Sequence, residues 1–320
     1  MQQEQIKDLN NEPSTLDKTA EIPTSPVVKK SSHRAPFWGD IVVMILLFFL
    51  SQFAGAIICN WIGISPSSNA IEESLSHDTL EGTFTELQSR YIACSFAIAM
   101  ILCFITLHIY RKLRGWGKII SLRTPGWSYP FRLLCAYILM WCFSITIEPL
   151  ASMFGDGPEQ ILSGGWLLLS AIIIAPLFEE TLFRGYIAGT LRRAYGALTA
   201  WIISSLLFGL AHGTPSTIIT ASFSGLILCY CYLRYRSLIF AIILHAMNNA
   251  TACFMMSIGL GDSTMREIIT NNQVYWAIYA FCLSITIIAI ARMWQVVKSS
   301  KATNICTKRN NIGKECVYFK

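Results

Sequence analysis

Charge is what this sequence is short of: 14% of its 320 residues are Asp, Glu, Lys or Arg, against about a quarter in a water-soluble chain. The hydrophobic class makes up 53%, and it lies in long blocks, many near the ~20 residues that cross a bilayer. A soluble domain would spread these residues over short strands or amphipathic stripes, so a soluble globular fold is excluded. Paired cysteine spacing is missing as well. The 11 cysteines are odd in number. Cys59, Cys94, Cys103, Cys135, Cys142, Cys229, Cys231, Cys253 and Cys282 fall inside apolar runs, where a thiol acts as a small hydrophobe. Cys229 and Cys231 stand two apart, point to different helix faces, and make a poor metal pair. No short apolar core follows the first residues, so no signal peptide is expected. No internal repeat and no His-Glu-x-x-His occur.

What is there reads as an all-α, polytopic membrane helix bundle of about eight transmembrane helices. The blocks run from about 41 to 64, 91 to 110, 131 to 153, 165 to 193, 197 to 212, 217 to 233, 238 to 258 and 274 to 297. Residues 1–36 are polar, with Pro13, Pro23, Pro26 and Pro36, a composition expected to form a disordered tail. Residues 37–155 hold the first three spans, 160–260 the central core, 273–298 the last span and 299–320 a second tail. The net charge of +6 does not indicate a nucleic-acid partner, because the basic residues cluster between spans. Lys29, Lys30 and Arg34 precede the first span; Arg111, Lys112, Arg114, Lys118 and Arg123 lie between the second and third. Arg192 and Arg193, Arg234 and Arg236, and Lys298 and Lys301 mark every second connection thereafter. The intervening connections are mostly acidic or neutral, so both termini are expected in the cytoplasm.

Ionisable groups inside a span cost a few kcal/mol or more, so they usually have a purpose. Three clusters break the apolar blocks. In Glu179-Glu180-Thr181-Leu182-Phe183-Arg184, Glu180 and Arg184 are four apart and share a helix face, which allows an ion pair. Glu179 points about 100° away and is free to face a cavity. Pro176, one turn earlier, removes a helix hydrogen bond and is expected to bend the span. In Phe208-Gly209-Leu210-Ala211-His212, Phe208 and His212 share a face, and Gly209 and Ala211 permit close approach by a neighbour. In His245-Ala246-Met247-Asn248-Asn249, His245 and Asn249 project together. Each cluster alone also fits a structural role: a locked Glu–Arg pair, an interfacial histidine, or interhelical glue. Together they hold a base and several hydrogen-bond donors, the inventory for activating water against a carbonyl. Counting ~1.5 Å per residue from the basic ends puts Glu179 at ~21 Å, His212 at ~24 Å, Asn249 at ~18 Å and His245 at ~12 Å. His245 is the outlier, and residues 181–193 lying along the interface would move the site toward the cytoplasm.

Glu-Glu-x-x-x-Arg, Phe-x-x-x-His and His-x-x-x-Asn, in this order on membrane helices, resemble the CAAX prenyl protease type II family, also called the CPBP or Abi family of intramembrane proteases. The resemblance covers residues 160 to 260. It implies an intramembrane endopeptidase in which Glu179 and His212 activate water, His245 and Asn249 form the oxyanion hole, and Glu180, Arg184 and Phe208 support them. The family is often labelled a metalloprotease. A metal-free glutamate mechanism is the expectation here; a zinc version would use Glu179, His212 and His245. The implied partners are a peptide or lipid-modified protein substrate and the lipid bilayer, in the plasma membrane of a bacterium. Relatives process prenylated C-termini, or peptides and bacteriocins with self-immunity. Two other readings compete. Intramembrane Glu and His also suit a proton-coupled transporter, although such carriers often show internal repeats. A catalytically silent immunity or scaffold protein would keep the fold. Glu148 beside Pro149 reads as an interfacial carboxylate, and Arg292 as a side chain reaching for the membrane surface.

Overall fold

The computed structural model describes residues 37–64, 86–116, 122, 126, 129–154, 165–261 and 263–310. The tail expected over 1–36 and the last ten residues of the second tail lie outside them. Among the described residues all regular structure is helical, apart from an isolated bridge between Leu122 and Ser237. The helices are α1 (Trp38–Trp61), α2 (Glu86–Leu113), α3 (Tyr129–Ser152), α4 (Gly165–Tyr195), α5 (Ala197–Leu210), α6 (Pro215–Tyr235), α7 (Leu238–Ser257), the single turn α8 (Met265–Ile268) and α9 (Asn272–Asn310). Each of the eight hydrophobic blocks forms a helix. Seven are long and apolar enough to cross a membrane. The block at 197–212 is the exception: α5 has 14 residues, ~21 Å of rise against a hydrocarbon core of ~30 Å. The last helix also runs to Asn310, further than the expected end near residue 298.

Polarity is distributed inside out relative to a water-soluble protein. Asp40, Glu180, Arg184, Ser204, Ser205 and Thr286 are buried, while Phe49, Leu50, Phe53, Phe281, Ile287 and Ile288 are exposed. Such an apolar exterior belongs against lipid, where an unpaired polar group costs several kcal/mol and so turns inward. The chain is an integral membrane protein.

Helix ends pack so that the basic connections share one end of the bundle. Trp38 stacks on Tyr195 with ring centroids 4.6 Å apart, tying the start of α1 to the end of α4. Asp40 pairs with Arg114 at 2.8 Å, and Arg132 lies 5.4 Å from the Tyr235 ring centroid. This end is the basic face. At the other end the Glu148 carboxylate accepts the Met265 N–H at 2.7 Å, which fastens α8 to α3 and gives the expected interfacial carboxylate a partner. Arg292 is exposed on α9.

Three local features position the centre. A single residue, Gly196, joins α4 to α5; its φ of +92° is open to glycine and strained for other residues. The chain therefore reverses at once, and Ser204 on α5 donates to the Phe183 carbonyl of α4 at 2.9 Å. Thr214 caps α6 reciprocally with Thr217, with Pro215 in the first turn, so α6 starts four residues after α5 ends. At Gly209 an added Cβ would overlap Ser222 Oγ and lie 2.6 Å from the Ile218 carbonyl oxygen. The expected close approach is real at Gly209, whereas Ala211 lies exposed in the turn.

Candidate active site

Glu180, Arg184 and Phe208 form the buried floor of the site, with Arg184 and Glu180 fully enclosed. Glu180 Oε1 lies 2.9 Å from Arg184 Nη1, the pair that their four-residue spacing predicts. Arg184 also donates from Nη2 to the Gly225 carbonyl at 3.3 Å, and its guanidinium carbon stands 4.2 Å from the Phe208 ring centroid. One cation is thus held by a carboxylate, a backbone oxygen and an aromatic face, each from a different helix. Gly225 carries no side chain there; a Cβ would come within 3.2 Å of the Phe208 ring and the Ser205 backbone.

Phe208 joins the two histidines. Its ring centroid is 4.7 Å from that of His212 and 5.6 Å from that of His245, so imidazoles from α7 and from the turn after α5 meet on one phenyl ring. His212 Nδ1 stands 2.8 Å from the Phe208 carbonyl oxygen. A carbonyl only accepts, so Nδ1 carries the proton and Nε2 keeps its lone pair in the neutral ring. His212 is exposed, and the Glu179 side chain is 19% exposed against 0% for Glu180. Of the adjacent carboxylates, Glu179 is the one an incoming molecule can reach.

His245 lies between the two carboxylates. Its Nδ1 donates to Glu180 Oε1 at 2.9 Å, and its Nε2 is 3.9 Å from Glu179 Oε2, beyond hydrogen-bonding distance. The depth that set His245 apart in the rise count does not separate it here; equal rise from helix ends is not equal depth once helices tilt. α4 is also continuous from Gly165 to Tyr195, so residues 181–193 prolong the helix that carries Glu179.

Asn249 has a partner that its spacing does not announce. Its Nδ2 donates to the Ala171 carbonyl at 2.9 Å. That stretch of α4, Ser170–Ile174, is wound as a π-turn in which Ala175 N–H reaches Ser170 O, five residues back. The next donor in that register is residue 176, and Pro176 has no N–H. Ala171 O is therefore the carbonyl left open, and the Asn249 amide closes it. Pro176, expected to bend the span, sits two residues beyond this widened turn. A second π-wound segment, Thr181–Ala188, carries Arg184; such segments recur at functional sites.

The zinc set of Glu179, His212 and His245 does not come together as a ligand group. Among the described residues no three His, Cys, Asp or Glu side chains are grouped to hold a metal ion. Imidazole Nε2 atoms are suitable donors, and the His245 Nε2 stands 3.9 Å from Glu179 Oε2.

Residues 162–251, the stretch with all three motifs, match the family model described as type II CAAX prenyl endopeptidase Rce1-like. Over this stretch the chain is similar to that family. The matched stretch lies within the 160–260 over which the motifs carry the resemblance. Two curated proteins resemble the chain more widely. A protein of Bacillus subtilis (strain 168) named "Putative membrane peptidase YdiL" is 27% identical over 233 residues, 69% of this chain and 89% of the relative. An Escherichia coli protein named "Uncharacterized 24.3 kDa protein" is 34% identical over 118 residues, 34% of this chain. The chain spans 52% of that relative's length. No solved structure matches the chain. The stretch that matches the family model comprises most of α4 to α7, and α1 to α3 and α9 pack around it.

Spacing within one helix does not reveal three of the site's contacts: Arg184 with the Gly225 carbonyl, His245 with Glu180, and Asn249 with the Ala171 carbonyl. The isolated Pro176 beside the carboxylates was the only sequence signal for the last. For the Arg184 contact the signal was Gly225, the single glycine of α6.

Proposed function

We propose that the chain is an intramembrane endopeptidase of the CAAX-processing type, cleaving a peptide bond in a membrane-associated peptide or lipid-modified protein by activated water. One observation carries the reading: an accessible carboxylate, Glu179, beside an imidazole held by a second carboxylate, with a further imidazole and an amide around the same aromatic ring and helix. The match of residues 162–251 to the Rce1-like model and the relative named as a membrane peptidase support it.

In this mechanism water enters beside Glu179, the exposed member of the pair. Glu179 takes a proton from it while His212 accepts a hydrogen bond at Nε2, the nitrogen left unprotonated by the bond to the Phe208 carbonyl. The hydroxide oxygen adds to the peptide carbonyl carbon, and the carbonyl oxygen becomes an oxyanion. His245 donates to it from Nε2, a role that needs both ring protons and whose charge the flanking carboxylates balance. The second N–H of Asn249 also donates; its first holds the Ala171 carbonyl. Collapse breaks the C–N bond, and Glu179 returns its proton to the leaving amine. Arg184 and Glu180 orient His245 without touching substrate. Burial within the bundle limits the water to what this chamber admits.

The test compares peptides in membranes containing wild-type protein, Glu179→Gln or His212→Ala. Each substitution should lower cleavage by about 10²–10⁴-fold, the usual contribution of a general base, with the unfolding temperature unchanged. Undiminished turnover by both variants would eliminate the mechanism. A strong chelator should leave turnover intact; its loss together with stoichiometric zinc release would assign the site to metal chemistry instead.

A further inference from the structure

A cavity of about 320 Å³ opens at the basic face, away from the candidate active site, where the ends of α4, α6 and the spanning part of α9 meet the start of α5. Arg192, Arg234 and Tyr230 line it together with Leu233, Val296 and Val297. Among the described residues no carboxylate lines it, and neither Arg192 nor Arg234 takes part in an ion pair. Guanidinium groups gathered at the edge of an apolar bundle repel one another, and an anion in the cavity relieves that repulsion.

We propose that this cavity holds the headgroup of an anionic glycerophospholipid. The phosphate is recognised by the two guanidiniums, whose planar N–H forks match phosphate oxygens, and the Tyr230 hydroxyl supplies a further donor. The charge of the described lining decides between headgroups: its two charged side chains are both guanidiniums, which favour net negative charge over the ammonium of a choline or ethanolamine lipid. Apolar walls decide between a lipid and a free anion. Leu233 and Val297 are buried, and Val296 is 38% exposed on the outer surface of α9, which continues the cavity toward the membrane and gives acyl chains a path. The volume lies at the small end of ligand sites, roughly 300–1,000 Å³, enough for a headgroup with its chains left outside. Basic pockets between membrane helices are suited to this ligand class where the leaflet is anionic.

Native mass spectrometry on the full-length protein, offered equimolar phosphatidylglycerol and phosphatidylcholine with identical acyl chains, tests the proposal without any peptidase assay. Wild-type protein should retain phosphatidylglycerol roughly tenfold over phosphatidylcholine, the scale expected of one to two cations at a membrane surface. Arg192→Gln with Arg234→Gln should remove the preference, and Arg266→Gln, at the opposite end, should keep it. Equal retention of both lipids by the wild type overturns the proposal, as does a preference that survives the double substitution. Displacement of the lipid by inorganic phosphate at equal concentration reduces the cavity to a free-anion site and overturns it too. If the double variant does not fold, the wild-type competition and Arg234→Gln, at an exposed position, carry the test.

Discussion

Glu179 and Glu180 are neighbours with opposite surroundings, and the difference sets what each can do. Glu180 is fully enclosed and bonded to both Arg184 and His245, whereas Glu179 is partly exposed and stands 3.9 Å from His245 Nε2. Glu180→Gln should therefore destabilise the protein by about 3–5 kcal/mol, because it leaves Arg184 buried without its counter-charge. Glu179→Gln should leave stability nearly unchanged while abolishing cleavage. Denaturant unfolding of the purified variants in one detergent checks the ranking, and the reverse order would exchange the two roles. Much of this was legible beforehand. Glu180 with Arg184, Phe208 with His212, and His245 with Asn249 are each four residues apart, and helix geometry alone puts such pairs on one face. Nothing local told which carboxylate His245 would meet, because that depends on how α7 lies against α4.

On the scale of helices, the widened turn in α4 links two of the sequence motifs to an ordinary backbone requirement. The π register and Pro176 together leave the Ala171 carbonyl without a helical donor, and Asn249 supplies one. An open carbonyl in the bilayer interior is costly, so the amide and the proline should be coupled in stability. Asn249→Ala should cost about 1–3 kcal/mol in the wild-type background and less beside Pro176→Ala, where residue 176 regains an N–H. A double-mutant cycle measured by unfolding reads that difference; an additive cycle would separate the two. The contact between α5 and α6 makes a second demand. Gly209→Val would drive a side chain into Ser222 and the Ile218 backbone, parting the helices and moving His212 off the Phe208 ring. The expected result is a lower unfolding temperature and lost cleavage together, with Ser222→Gly giving little rescue because the Ile218 oxygen is backbone.

Across the whole molecule, the apolar exterior and buried ionic centre define a membrane protein, and the shared basic end gives it a direction. By the positive-inside tendency we propose that this end faces the cytoplasm. Lys298→Cys should then react with a membrane-impermeant thiol reagent only after the membrane is opened from the cytoplasmic side, and Arg90→Cys, at the other end, without opening. The parent protein for both is one with its native thiols that do react replaced. The same labelling at both positions would contradict the topology. α5 matters at this scale too: at ~21 Å it is too short to span alone, so the turn that carries His212 ends a partial crossing. The hydrophobic pattern predicted a helix there but not its failure to span, since the apolar run reaches 212 while the helix stops at Leu210.

The sequence by itself determined the all-helical membrane class, the direction of the basic connections and the three pairs of chemistry-bearing residues. These follow from the cost of polar groups in hydrocarbon and from 3.6 residues per turn, and neither needs a partner helix. Only the tertiary structure decided that His245 stands between two carboxylates, that Asn249 closes a carbonyl opened by Pro176, and that one phenyl ring receives both imidazoles. Such contacts depend on the crossing of separate helices, which is set by where small residues such as Gly209 and Gly225 let backbones approach, and no spacing along one strand of sequence records it.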